Sequence, residues 1–185
     1  ETCQLVVRAD SNIQTLDDLS GHTVSIGAEE SGTERNATQI LEFAGMPSSL
    51  VATKNLDYIE ATKELKAGDI DALFCTAGLT TTVIDEISKE CDIRLIPLTD
   101  TVISKMLESS SAYTSEVIPA GTYTGQAADI STIGVKSVLI TKANVSEDTI
   151  EQLTSLLFEK EKELSYSNSL KLELTYDFAT GDIPI

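Results

Sequence analysis

Residues 23–45 constrain this chain more than any other stretch. They read T-V-S-I-G, then A-E-E-S-G-T-E, then R-N-A-T-Q-I-L-E-F-A-G: a short alternating apolar run, a turn of small residues, and an amphipathic segment stopped by glycine. That succession predicts strand, loop and helix. Ala37, Ile40, Leu41 and Ala44 recur at the spacing of one buried helix face. Ser31 with Glu34 three residues on forms a capping box, in which hydroxyl and carboxylate each satisfy an orphan N–H. The first N–H groups of a helix lack internal acceptors and carry about half a positive charge, so a turn of this kind after a strand receives a carboxylate or phosphate readily. Two roles therefore fit Ser31 and Glu34: caps alone, or caps that also frame a ligand turn.

The rest of the chain repeats the theme. A strand begins near Leu5 and, in the run L-V-V-R-A-D, points toward another part of the molecule. Thr15 and Asp18 cap a short helical turn that ends at Gly21. Further strands are expected over 51–55, 70–76 and 93–97, alternating with helices that carry Tyr58, Ala61, Thr62 and Leu65, then Val83, Ile84 and Ile87, then Val102, Ile103, Met106 and Leu107. Strand-helix alternation with tight connections argues a mostly parallel sheet with right-handed crossovers, flanked by helices. After Leu107 the texture changes: 109–125, rich in Ser, Thr, Pro and Gly, reads as an excursion, and 132–141 reads as one long strand crossing between lobes. A last helix is capped at Ser146 and stapled by Val145 and Ile150. Glu147 and Asp148 open it, Leu153, Leu157 and Leu164 stripe it, and Lys160 and Lys162 close it.

Composition excludes several partners. Thirty acidic against 13 basic residues leave a net charge of −17 in 185 residues, with no cluster of four Lys or Arg. Nucleic acid and anionic membrane surfaces need such patches. Cys3, Cys75 and Cys91 form no C-x-x-C and stand with a single histidine, His22, so neither a zinc site nor a disulfide is expected; the order of the strands sets Cys75 and Cys91 at opposite ends of the sheet. No run approaches the ~18 apolar residues of a membrane span, and no signal peptide is visible. Because the chain opens on Glu1, that absence is compatible with an upstream portion having been removed.

In an open parallel sheet, ligands sit beyond the carboxyl ends of the strands. Two loops have this address, 27–34 and 75–82, and both are built from glycine and small hydroxyl residues that let a ligand approach backbone N–H groups. Catalytic equipment is sparse. His22 starts a strand at the opposite end, Glu29 and Glu30 are adjacent and so poorly placed to converge on one bond, and Asp69 and Asp71 shape a turn at the wrong end of the sheet. The G-x-S-x-G elbow, the phosphate loop and G-x-G-x-x-G are absent. Tyr123, within P-A-G-T-Y-T-G-Q, either closes over a ligand or anchors its loop.

Taken in order, L-V-V-R-A-D-S-N-I-Q-T-L-D-D-L-S-G-H-T-V-S-I-G, E-S-G-T-E-R-N-A-T-Q-I-L-E-F-A-G, L-K-A-G-D-I-D-A-L-F and P-A-G-T-Y-T-G-Q-A-A-D-I-S-T-I-G-V resemble the TAXI family of solute-binding proteins, the extracytoplasmic receptors of certain TRAP transporters. The resemblance implies a two-lobed periplasmic-binding-protein fold of type II that shuts on a small solute and delivers it to a membrane permease. It implies no cofactor, and ligands of the glutamate or glutamine class. It also implies that 1–15 enter as a crossing strand, that 16–125 form the second ligand-binding lobe, and that 126–185 return to a first lobe most of which lies outside this chain. Apolar surface on the last helix would then drive dimerisation of the isolated piece. The family's ligand turn falls on Ser31, Gly32 and Thr33, and its next loop on Thr76, Ala77 and Gly78; with Tyr123 these are the candidate site. Glu30 stands where the family usually has glycine, and Thr80 where it often has proline. Glu30 would repel an acidic ligand by about 1 to 4 kcal/mol at a few ångströms. A Rossmann-like enzyme or cofactor domain, and a sensor domain on the same fold, are the competing expectations.

Overall fold

The computed structural model describes residues 1–160. They fall in two compact units, Glu1–Lys136 and a second that begins at Ser137. The first holds strands β1 (Thr2–Arg8), β2 (Thr23–Ser25), β3 (Ala52–Lys54), β4 (Ala72–Ala77), β5 (Ile93–Ile96), β6 (Tyr113–Ile118) and β7 (Ile130–Val135). Its helices are α1 (Gly32–Phe43), α2 (Tyr58–Ala67), α3 (Thr82–Glu90) and α4 (Asp100–Ser109). The fold is mixed α/β and of the periplasmic-binding-protein kind: one open sheet ordered β3-β2-β4-β1-β7-β6, with β5 also on β1, between two helix layers.

The helix starts expected from the sequence are present, and their caps show why. Ser31 accepts from the Glu34 amide at the head of α1, Asp57 from that of Glu60 at α2, and Thr99 from that of Val102 at α4. Gly68, in the left-handed region at φ 84°, closes α2. Each helix buries a stripe. Ala37, Ile40 and Leu41 of α1 and Val102, Ile103 and Met106 of α4 pack with Leu5, Val7 and Phe74 on one face of the sheet. Ala61 and Leu65 of α2 and Ile84 and Ile87 of α3 pack with Val6, Leu73 and Leu95 on the other. Each such side chain, fully buried, contributes about 1.5–3 kcal/mol.

Strand β1 departs from expectation. Rather than leading away, it is the spine of the sheet, antiparallel to β4 along one edge and to β5 along the other, with Thr2 reaching Gly134 of β7. The reason is visible in its burial: Thr2 through Val7 are all buried, so both faces of the strand need cover. Parallel pairing among the described residues is confined to β2 with β3 and β2 with β4. Even so, β2, β3, β4 and β5 point the same way, as their helical crossovers require; β1 runs opposite and separates β4 from β5.

Two further expectations are corrected. The 109–125 excursion contains β6, whose Tyr113 and Ile118 turn inward and which pairs antiparallel with β7; Thr114, Ser115 and Glu116 between them are half-buried or exposed. The strand expected over 132–141 stops at Val135. Beyond it, Val138, Leu139 and Ile140 are exposed and irregular. In the second unit α5 runs Glu147–Glu159 from the Ser146 cap and buries none of its residues. Lys162 and Leu164 of the expected helix lie outside the described residues.

Candidate functional site

Because β2 and β4 are adjacent and parallel, the turns that follow them open at the same edge of the sheet. A cleft of about 720 Å³ lies there, walled by the head of α1 with Tyr58, Thr76 and Tyr113. Of the residues singled out in the sequence, Ser31, Gly32, Thr33 and Thr76 line it. Ala77 and Gly78 do not. Side chains alternate along β4, so Thr76 shares the α1 face with Phe74 while Ala77 turns with Cys75 toward α2 and α3.

The turn before α1 is held tightly. Gly27 sits at φ 97°, and a Cβ there would come within 2.8 Å of the Thr33 Cβ and 3.0 Å of the Ser31 Oγ. Only glycine satisfies both the backbone angle and the contact. The capping box is displaced by one residue: the Ser31 Oγ accepts from the Glu34 N–H at 3.1 Å, but the Glu34 carboxylate accepts from the Glu30 N–H at 2.6 Å and not from Ser31. Asn55 donates to the other Glu34 oxygen at 2.7 Å and to the Gly27 carbonyl at 3.2 Å. Glu30 lies at φ 61°, a conformation that explains why glycine suits this position. Gly32 and Thr33, the first two residues of α1, find no acceptor for their N–H groups among the described residues, as the geometry of a helix start dictates.

Behind these amides runs a chain of side-chain bonds. Tyr58 Oη donates to the Thr76 carbonyl at 3.0 Å and accepts from the Thr76 N–H at 3.2 Å. Its one proton being used, the Thr33 hydroxyl is the donor in their 2.7 Å contact. Asn36 Nδ2 donates to Thr76 Oγ1 at 3.3 Å. Tyr113 Oη approaches Asn36 Oδ1 at 3.1 Å and Gln39 Oε1 at 2.7 Å. Burial pushes the Tyr58 and Tyr113 phenols above their ordinary range, so both remain neutral donors at physiological pH. Neither tyrosine, nor Asn36, stands out in the sequence. The one legible signal is that Tyr58 opens a helix directly after an edge strand, at the ligand-bearing end of the sheet.

The second loop differs. Tyr123 is almost fully buried on the α2 and α3 side and donates to Gln4 Oε1 at 2.7 Å. Burial raises its pKa to about 12. Tyr123 is thus buried against Gln4, away from the 720 Å³ cleft. Thr80 sits at φ 58°, an angle no proline adopts, so this loop cannot follow a path that places proline there.

Cys3 and Cys75 are buried and their thiols pushed up to about 12 by desolvation, which removes them as nucleophiles. His22 stands at the amino end of β2 and pairs with Asp71 at 3.2 Å; Asp71 also accepts from the Thr23 N–H. That pair fixes the turn into β2 at the end remote from the cleft. Among the described residues no three His, Cys, Asp or Glu gather as metal ligands, and no helix is long and apolar enough to cross a membrane.

The model of the NMT1-like family matches residues 1–183. The chain belongs to that family. Solved structures with the same fold include the periplasmic aliphatic sulphonate binding protein SsuA from Escherichia coli, at 16% identity and TM-score 0.53 over 90% of this NMT1-like chain and 46% of that one. The alkanesulfonate-binding protein SsuA from Xanthomonas axonopodis pv. citri, bound to MOPS, matches at 14% and 0.51 over 91% and 51%. A Streptococcus mutans structure from work on glutathione import via GshT and the cystine ABC importer TcyBC matches at 13% and 0.52 over 96% and 62%. The chain spans about half the length of the two SsuA proteins, and at these identities the likeness is one of fold.

Proposed function

We propose that this chain is the second-lobe portion of an extracytoplasmic solute receptor serving a TRAP-type transporter. In this reading it binds and releases a small amino-acid-like or carboxylate solute of the glutamate or glutamine class and catalyses nothing. In this reading the compact unit Glu1–Lys136 is one jaw of the receptor. The observation that carries the reading is the cleft at the carboxyl ends of β2 and β4, where open α1 amides meet a wall of neutral, mutually bonded hydroxyl and amide groups without an activated nucleophile. The four ordered sequence motifs support the TRAP assignment, whereas the structural relatives whose names mention a transport system belong to ABC importers. Ser31, Gly32, Thr33 and Thr76 are the proposed contacts, joined by Tyr58; Ala77, Gly78 and Tyr123 are withdrawn from the contact set.

Calorimetric titration of the full-length protein with a panel of amino acids and dicarboxylates tests this. Ser31→Ala is expected to weaken binding, since it frees the turn. Glu30→Gly, by removing a carboxylate from the rim, is expected to strengthen binding of an acidic solute by severalfold. Affinities unchanged by both substitutions would move the site elsewhere.

A further inference from the structure

Asn36 of α1 is buried beneath the cleft and joins Thr76 to Tyr113. The protons along this row can be counted. Ser109 Oγ donates to the Met106 carbonyl at 2.7 Å, so toward Gln39 it can only accept, and Gln39 Nε2 lies 3.5 Å away as the donor. Gln39 Oε1 therefore faces Tyr113, whose hydroxyl donates to it at 2.7 Å, the ordinary length of an O–H···O bond. Tyr113 has one proton. With Asn36 Oδ1 also toward the phenol, two acceptors share that proton and the longer contact, 3.1 Å, is oxygen on oxygen. A side-chain amide has a second orientation that fills the same space. Turned so, Asn36 donates its NH₂ to Tyr113 Oη, Thr76 Oγ1 donates to the Asn36 oxygen across their 3.3 Å contact, and every link of the row has a donor and an acceptor.

Thr33 is in the same condition. Its hydroxyl donates to Tyr58 Oη, whose own proton goes to the Thr76 carbonyl. Resting on the receptor reading above, we infer that Asn36 is a positioning residue: it takes the Thr76 proton, so that Thr76 and Thr33 present only lone pairs to the cleft they line, and the solute is selected by a hydrogen-bond donor. An ammonium, amide or hydroxyl group meets that need. A carbonyl or carboxylate oxygen set there meets oxygen with no hydrogen between, and the water it gave up is not replaced. The solute class proposed above is thereby divided: amino-acid-like solutes fit, and dicarboxylates without a donor do not.

The test is titration calorimetry on the full-length protein with three probes of one carbon skeleton. L-glutamate, L-2-hydroxyglutarate and 2-oxoglutarate bear an ammonium, a hydroxyl and a carbonyl oxygen at the same carbon. The last two carry equal charge, so their ratio reads donor against acceptor, while L-glutamate is the probe that the receptor reading itself requires to bind. Wild type is expected to bind the hydroxy acid about tenfold more tightly than the oxo acid. Asn36→Leu frees the Thr76 proton to turn outward, and the ratio should fall to about threefold or less. Asn36→Asp, which still accepts from Thr76, should keep the wild-type ratio. A structural role alone would weaken both probes together and leave the ratio unmoved, and thermal midpoints report the fold separately. Should Asn36→Leu fail to fold, Thr76→Val takes its place and should also shrink the ratio, by removing the acceptor. Wild type binding the two acids alike or preferring 2-oxoglutarate, a preference reversed by Asn36→Asp, or a ratio untouched by Asn36→Leu overturns the inference and leaves the receptor standing. Wild type binding none of the three probes brings down the receptor reading for this ligand class, and the inference with it.

Discussion

At the scale of single residues, the structure separates side chains that look alike in sequence. Tyr58, Tyr113 and Tyr123 are all tyrosines near loops, but two face the cleft and the third seals the opposite side of the sheet. Tyr123 is the most telling. Its hydroxyl is the one partner of Gln4, a fully buried side chain whose Nε2 finds no acceptor among the described residues. Tyr123→Phe would leave both ends of that amide unpaired and is expected to cost about 1–3 kcal/mol, measured by urea unfolding. The same residue bears on alkaline stability. Its folded-state pKa of about 12 lies above the ordinary 10.0 of a tyrosine, so the neutral phenol's contribution is complete below pH 10 and lost as pH rises toward 12. Cys3 and Cys75, raised from 9.0 to about 12, act in the same direction from pH 9 upward. Unfolding free energy should therefore fall over pH 9–12, and Tyr123→Phe should flatten the upper part of that fall.

At the scale of elements, the β2-turn-α1 unit is where local sequence and site coincide. Alternation, the capping box and the terminal glycine of 23–45 point to strand, turn and helix, and all three form. What local rules misplace is the carboxylate of Glu34, which bonds the Glu30 N–H because residue 30 takes a positive φ that swings that N–H into reach. The unit hinges on Gly27. Gly27→Ala forces a left-handed alanine into contact with Thr33 and Ser31, and a left-handed L-residue costs about 1–2 kcal/mol before the clash is counted. The expected outcome is a thermal midpoint lowered by several degrees, with solute affinity lost in parallel because the start of α1 shifts. A variant that melts like wild type would mean that the turn relaxes freely and frames nothing.

At the scale of the whole molecule, α5 carries Leu153 and Leu156 at 37% and 52% exposure, and Val138, Leu139 and Ile140 are exposed before it. Large apolar side chains exposed in such number favour association. The isolated 185-residue chain is expected to self-associate, which light scattering across a concentration series would reveal; a strictly monomeric particle would count against this. The sequence by itself determined the strand-helix alternation up to α4 and the start of α1 at the Ser31 cap, because periodicity and capping act over three to seven residues. Only the tertiary structure decided that β1 is the spine of the sheet, that Thr76 and not Ala77 faces α1, and that Tyr58 and Tyr113 meet Thr33 and Asn36 across 25 and 77 residues of chain. Those outcomes follow from which face of a two-sided sheet each helix covers, and a strand buried on both sides carries no local mark of that choice.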